Sequence, residues 1–175
     1  MCGVMSNWLH FGYNGNVLIF SVKTDSIGAG AVEFMQDPSF FLRNISTVNR
    51  DWTRASAHIL DQVGHWQDLS THHFMGMTSV IAKERSIEGE VLGKQFSIEL
   101  NPISCEKAGL AEAVLFLCQG GERSQLGRFS IRHDGAVLNA DGAVLVSPEE
   151  DRYSYKIFAT ILQSVIDAPT PKRAV

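Results

Sequence analysis

Ser86-Ile87-Glu88-Gly89-Glu90-Val91 is followed by Gln95-Phe96-Ser97-Ile98-Glu99-Leu100, and further along by Arg128-Phe129-Ser130-Ile131-Arg132. Charged or polar residues alternate with apolar or small ones in all of these segments. Successive side chains of a β-strand point to opposite faces, so a period of two describes a sheet with one covered face and one wet face. Parallel strands in α/β proteins are covered on both faces and read as unbroken apolar runs, so these segments belong to an antiparallel sheet. Across its strands Glu99 has the charge to pair with Arg128 or Arg132.

Working outward, Phe74 to Val146 reads as about six such strands. Asp134-Gly135 and Asp141-Gly142 are hairpin turns, and the repeated Asp-Gly-Ala-Val-Leu at 134–138 and 141–145 marks two consecutive β-turns, not a repeat architecture. Within Ser104 to Gly120, Leu110, Val114 and Leu117 fit one helix face, whereas Ala113 to Cys118 fits a buried strand; a turn followed by a strand is the reading adopted. Met75 and Met77 are expected on one strand face, with Phe74 and Gly76 on the other, and His72-His73 at the start of that strand.

Helices are expected on both sides of the strand-rich region. From Val48 to Leu69, Trp52, Ile59, Val63 and Trp66, with Ala55 and Leu60 beside them, recur at the spacing of an amphipathic helix. The opposite side carries Arg54, His58, Asp61, His65 and Asp68 as one polar stripe. Ser147-Pro148-Glu149-Glu150 reads as an N-cap, a proline at N1 and a glutamate at N3, opening a C-terminal helix. Its apolar residues Ile157, Phe158, Ile161, Leu162, Val165 and Ile166 span enough of the circumference to touch two surfaces: the sheet, and either the first helix or a second subunit. Upstream, Asn16 to Lys23 and Ala29 to Met35 read as strands, Pro38 stops the second, and Ser39 to Ile45 forms a short helical segment.

The resulting fold class is α+β, with a curved, mainly antiparallel sheet of about six to eight strands packed on one long mid-chain helix and a C-terminal helix. Residues 1–168 are expected to form a single domain and 169–175, containing Pro169 and Pro171, a flexible tail. The element order resembles the helix-grip arrangement, in which a curved antiparallel sheet wraps a C-terminal helix and can enclose an apolar cavity. The abundant Phe and Met fit either a filled core or the lining of such a cavity.

Composition narrows the function. The 175 residues carry 15 Lys and Arg against 19 Asp and Glu, a net charge of −4. That balance disfavours a nucleic-acid partner, and Lys83 with Arg85, Arg128 with Arg132, and Lys172 with Arg173 do not extend into a basic run. No apolar stretch approaches the ~20 residues that span a bilayer, so neither a membrane span nor a membrane partner is expected. The start lacks the pattern of a secretory signal, and Cys2, Cys105 and Cys118 are an odd, widely spaced set suited to reduced thiols, so a cytoplasmic location is expected.

Candidate chemistry is sparse. His58, Asp61 and His65 share one helix face, but two imidazoles seven residues apart are separated by ~10 Å of helix rise and cannot converge on one ion. Cys105 and Cys118 read as small core residues, since neither has a sequence-adjacent histidine to activate it. Gly28, Gly30, Gly120 and Gly121 sit in no phosphate-binding pattern, so no cofactor is implied. Met1-Cys2-Gly3 resembles the start of N-terminal-nucleophile glutamine amidotransferases, which implies a Cys2 thiol activated by its own amino group once Met1 is removed. The Arg-Gly-Pro-Asp-type segment of that family is absent from this chain.

The leading expectation is a non-enzymatic protein-binding module, a small cytosolic regulator, inhibitor, immunity factor or chaperone-like protein. Its partner is another protein or a second copy of itself, met by Arg54, His58, Asp61, His65 and Asp68. A helix-grip binder of a small apolar ligand and a Cys2 amidohydrolase are the alternatives.

Overall fold

A computed structural model describes residues 37–105 and 107–169. The described chain runs α1 (Pro38–His72), β1 (Thr78–Ala82), β2 (Ser86–Val91), β3 (Lys94–Cys105), β4 (Ala108–Gln119), β5 (Glu122–Ile131), β6 (Val137–Leu138), β7 (Val144–Val146) and α2 (Tyr153–Asp167). The seven strands form one sheet in chain order, every neighbouring pair antiparallel, curled into a half-barrel. The expected N-terminal strands, Cys2 and the end of the expected tail lie outside the described residues.

Local chemistry sets the strand connections. Leu92-Gly93 joins β2 to β3 and Gly120-Gly121 joins β4 to β5, all four residues at positive φ. Such two-residue turns match the twist of the strands they connect. Asp134 and Asn139 then shape the next two turns, accepting from the amides of Ala136 and of Asp141 and Ala143. The expected turn and strand within Ser104 to Gly120 correspond to the β3–β4 hairpin, with Cys105 opposite Ala108.

The register lays Val80, Phe96 and Leu117 in one row across the inner face, and Ile87, Ile98 and Leu115 in another. Against them α1 buries Ala55, Ile59, Val63, Trp66 and Leu69. Fully burying a large apolar side chain stabilises the fold by ~1.5–3 kcal/mol, so Ile59, Val63, Trp66 and Leu69 contribute substantially. The helix comes close because β4 presents Gly109, Ala111 and Ala113 beneath it; a Cβ on Gly109 would lie 2.1 Å from the Val48 carbonyl oxygen. C-terminal helix α2 touches two surfaces. Phe158 stacks on Trp66 of α1 with centroids 5.0 Å apart, while Lys94 of β3 donates to the carbonyls of Ile166 and Ala168 at its C-terminal end, each at 2.7 Å.

Several sequence expectations are corrected. Instead of a short segment and a separate long helix there is one helix, because nothing between Ile45 and Val48 breaks it. Asp37 caps it, accepting from the Ser39 amide at 2.9 Å, and Pro38 opens the helix at N1. At the other end His72 is the last helical residue and His73 the C-cap, so the pair does not begin a strand. Met75 and Met77 lie in the connection to β1, Met75 at φ 50°, and share no strand face.

Ser147 does not cap α2. Ser147 N–H donates to Glu150 Oε1 at 2.8 Å, but Ser147 Oγ accepts from the Glu149 amide at 3.4 Å while the Glu150 amide donates to the Ser147 carbonyl at 3.0 Å, which closes a separate turn. Arg152, at φ 62°, intervenes before the helix starts at Tyr153. Long-range contacts outweigh the local signal here: this start lets the Tyr153 hydroxyl donate to the Gly135 carbonyl and the Trp66 indole donate to the Ser154 carbonyl.

Ionic pairing also differs. Glu99 binds Arg123, Arg128 binds Glu112 and Arg132 binds Asp134. The register of β4 on β5 shifts between Leu115 and Phe116, leaving Leu126 unpaired, and it sets Arg123 beside Cys118. From there its long side chain runs along the sheet to Glu99.

Candidate functional site

Arg54, His58, Asp61, His65 and Asp68 are all exposed along one side of α1, as the helical spacing requires. The structure brings them to one stripe without joining them. Among the described residues no hydrogen bond or ion pair links their side chains, and no group of three potential metal ligands occurs. His58 rests against the β5–β6 turn, where a Cβ on Gly135 would lie 3.3 Å from its Nδ1. The stripe can present charge to a partner, but nothing in it converges on a reacting atom.

A second surface was not singled out in the sequence. The apolar stripe of α1 runs Phe41, Ile45, Val48, Trp52, Ala55, Ile59, Val63 and Trp66, at steps of three and four throughout. From Ala55 onward it is buried on the sheet, and at Val48 it crosses the start of β4 near Gly109. The turns before Val48 run on past the β3–β4 hairpin. There Phe41 is 47% and Ile45 48% exposed, and Phe40 and Leu42 flank them in the open. Lys107 of the hairpin places its Nζ 5.8 Å from the Phe40 ring centroid. Between Pro38 and Arg50 the helix carries two arginines and no carboxylate. Phe40, Phe41 and Leu42 are adjacent and carry no periodicity of their own, but steps of four, three and four backward from Trp52 place Ile45 and Phe41 on the stripe.

The third surface is the sheet face turned away from the helices. A cavity of about 600 Å³ opens there over β1, β2 and β3, between Ser79, Ile81, Glu88, Glu90, Glu99 and Arg123. Arg123 Nη2 donates to Glu99 Oε1 at 2.8 Å and to Ser97 Oγ at 3.1 Å, and its guanidinium lies 4.3 Å from the Phe116 ring centroid. The hydrogen bond to Glu99 raises the Arg123 pKa further, so the site carries a permanent cation fixed to one wall. On the opposite wall Lys83 binds Glu88 at 2.6 Å. Glu90 has no ion pair among the described residues.

Cys118 borders this cavity, with Sγ 3.5 Å from Ser97 Oγ, so it is not the enclosed core residue its sequence suggests. Among the described residues no histidine or carboxylate is hydrogen-bonded to it. The interior of the half-barrel, where a helix-grip ligand would sit, is occupied by Trp66, Phe158, Ile59, Ile87, Ile98, Ile131 and Val165, all less than 2% exposed. Among the described residues no helix is long and apolar enough to cross a membrane. Compared with known proteins, the chain matches no protein family, and no curated protein or solved structure is similar to it.

Proposed function

We propose that this chain is a non-enzymatic protein-binding module, a small regulator, inhibitor, immunity factor or chaperone-like protein of the cytoplasm, that meets its partner along α1. One observation carries the reading: the stripe that packs α1 on the sheet continues without interruption onto turns that the sheet does not cover, leaving Phe40, Phe41, Leu42 and Ile45 exposed together. Contiguous apolar surface of this kind marks interaction sites, and aromatic side chains at its centre are the residues that contribute most to binding. Arg54, His58, Asp61, His65 and Asp68, farther along α1 on its opposite side, supply the charge that selects the partner and sets its approach.

Quantitative capture from the native host with the immobilised full chain tests this. The wild-type chain is expected to retain a stoichiometric protein that Phe41→Asp loses. Recovery of an apolar small molecule in its place would favour the helix-grip ligand reading. Capture that is indifferent to Phe41 and to the stripe would remove α1 as the binding element.

A further inference from the structure

Asp-Gly-Ala-Val-Leu occurs at 134–138 and again at 141–145, and both copies fold into the same turn. Gly135 N–H donates to the Arg132 carbonyl at 2.9 Å and Gly142 N–H to the Asn139 carbonyl at 3.1 Å, each glycine at positive φ. An Asp-Gly bond is open to attack by its own nitrogen on the aspartate side chain, because glycine puts no side chain in the path.

What surrounds the two copies differs. Arg132 donates to Asp134 from Nε to both carboxylate oxygens at 3.0 Å and from Nη2 to Oδ2 at 2.6 Å, and the Ala136 amide donates to Oδ1 at 3.1 Å. Gly135 is buried, His58 lies against it, and its carbonyl accepts from the Tyr153 hydroxyl, so both helices hold that turn. Asp141 and Gly142 are exposed. Among the described residues no hydrogen bond or ion pair reaches the Asp141 carboxylate, and nothing beyond the chain neighbours lies within 4 Å of a Cβ added at Gly142.

We propose that Asp141 is a site of spontaneous isomerisation to isoaspartate, and that Asp134, followed by the same four residues, is protected from it. The Gly142 nitrogen attacks Cγ of the protonated Asp141 carboxyl. An N–Cγ bond forms, the amide proton and the carboxyl hydroxyl leave as water, and a five-membered imide closes. Water then adds at the former peptide carbonyl and the bond from that carbon to nitrogen breaks. The chain now continues through Cγ and carries a free α-carboxylate. Water is the sole co-reactant, and the mass is unchanged.

The turn must open before the nitrogen can reach Cγ, and exposed turns with few contacts open at the least cost. At Asp134 the reaction is opposed twice. Arg132 and Tyr153 keep the turn closed, and the Arg132 guanidinium with the Ala136 amide holds the carboxyl below its usual range, at about 2, so the hydroxyl that must leave is almost never present. The product lengthens the main chain by one carbon inside the turn that Asn139 N–H closes on the Ala143 carbonyl at 2.9 Å, so β7, the last strand of the sheet, loses its fixed register on β6. The inference is independent of the role of α1.

Peptide mapping of the folded full chain, held for weeks in mildly acidic buffer below its unfolding temperature, tests it, with electron-transfer fragmentation to place each isoaspartyl bond. Isoaspartate is expected to accumulate about tenfold or more faster at Asp141 than at Asp134, because the reaction follows local opening. In guanidinium chloride, where both turns are lost, the two sites are expected to react alike. Equal rates in the folded chain, a faster Asp134, or no product at Asp141 would overturn the proposal. A preference for Asp141 that persists undiminished in guanidinium chloride would assign it to local sequence and overturn the protection by the fold.

Discussion

At the scale of single residues, the close approach of α1 to β4 is set by an absent side chain. A Cβ at Gly109 would lie 2.1 Å from Val48 O and 2.9 Å from Trp52 N, both backbone atoms of α1 that cannot yield locally. Gly109→Ala is therefore expected to destabilise the protein by ~3 kcal/mol or more, because the helix must lift from β4. Gly127→Ala, where no atom lies within 4 Å of the added carbon, is the matched control and should change stability by less than ~1 kcal/mol. Urea denaturation of both variants measures the difference. Asp134 offers a test in pH. The Arg132 guanidinium and the Ala136 amide hold its carboxyl below the ordinary 3.8, at about 2. A carboxyl depressed in the folded state adds stability that is present above its unfolded pKa and is lost as pH falls through the folded one. The stability gap between wild type and Asp134→Asn should thus be full above pH ~4 and close as pH falls toward ~2. The side chain is 42% exposed, so solvent screening keeps that gap small. A gap independent of pH would mean the ion pair contributes nothing.

At the scale of elements, the ends of α2 show where local signals and tertiary contacts part. Ser147 has the sequence chemistry of an N-cap but closes a detached turn, whereas Lys94, distant in sequence, donates to carbonyls at the far end of the helix. Ser147→Ala is expected to cost no more than a few tenths of a kcal/mol, below the ~1 kcal/mol of a true cap. Lys94→Ala, which removes a cation from a helix C-terminus together with its hydrogen bonds, should cost ~1–2 kcal/mol. Thermal or chemical denaturation orders the two, and the reverse order would restore Ser147 as the cap. Phe158 is the anchor of the same helix, stacked on Trp66 and edge-on to Phe74. Phe158→Ala should cost ~3–5 kcal/mol, the cost of a cavity in a packed core.

At the scale of the whole molecule, stability and binding are carried by different parts of one helix. Buried residues from Ala55 to Leu69 hold α1 to the sheet, while the exposed stripe and the uncovered first turns face outward. Arg54→Glu or Asp61→Arg is accordingly expected to weaken partner association while changing folding stability by no more than ~0–1 kcal/mol, the range of exposed ionic contacts. Partner titration by calorimetry beside a denaturation curve for each variant checks both halves, and unchanged affinity in the two variants would count against the stripe. Phe41→Asp extends the same separation to the apolar centre: its ring is half exposed, so its replacement should reduce binding more than folding.

By itself the sequence determined the kind of fold. Alternation at Glu88 to Leu100 and again at Arg128 to Arg132 made the sheet antiparallel and one-sided, and the stripe from Trp52 to Trp66 made the long helix and aligned Arg54, His58, Asp61, His65 and Asp68. These properties are legible because burial on one side imprints the period of the element directly on neighbouring residues. Tertiary structure alone decided that α1 continues past the sheet, that Arg123 and not Arg128 or Arg132 reaches Glu99, that α2 begins at Tyr153, and that a cavity opens beside Glu90. Each depends on the register of strands and on contacts between residues distant in the chain, where a shift at Leu126 or the reach of Tyr153 to Gly135 outweighs any signal carried by adjacent positions.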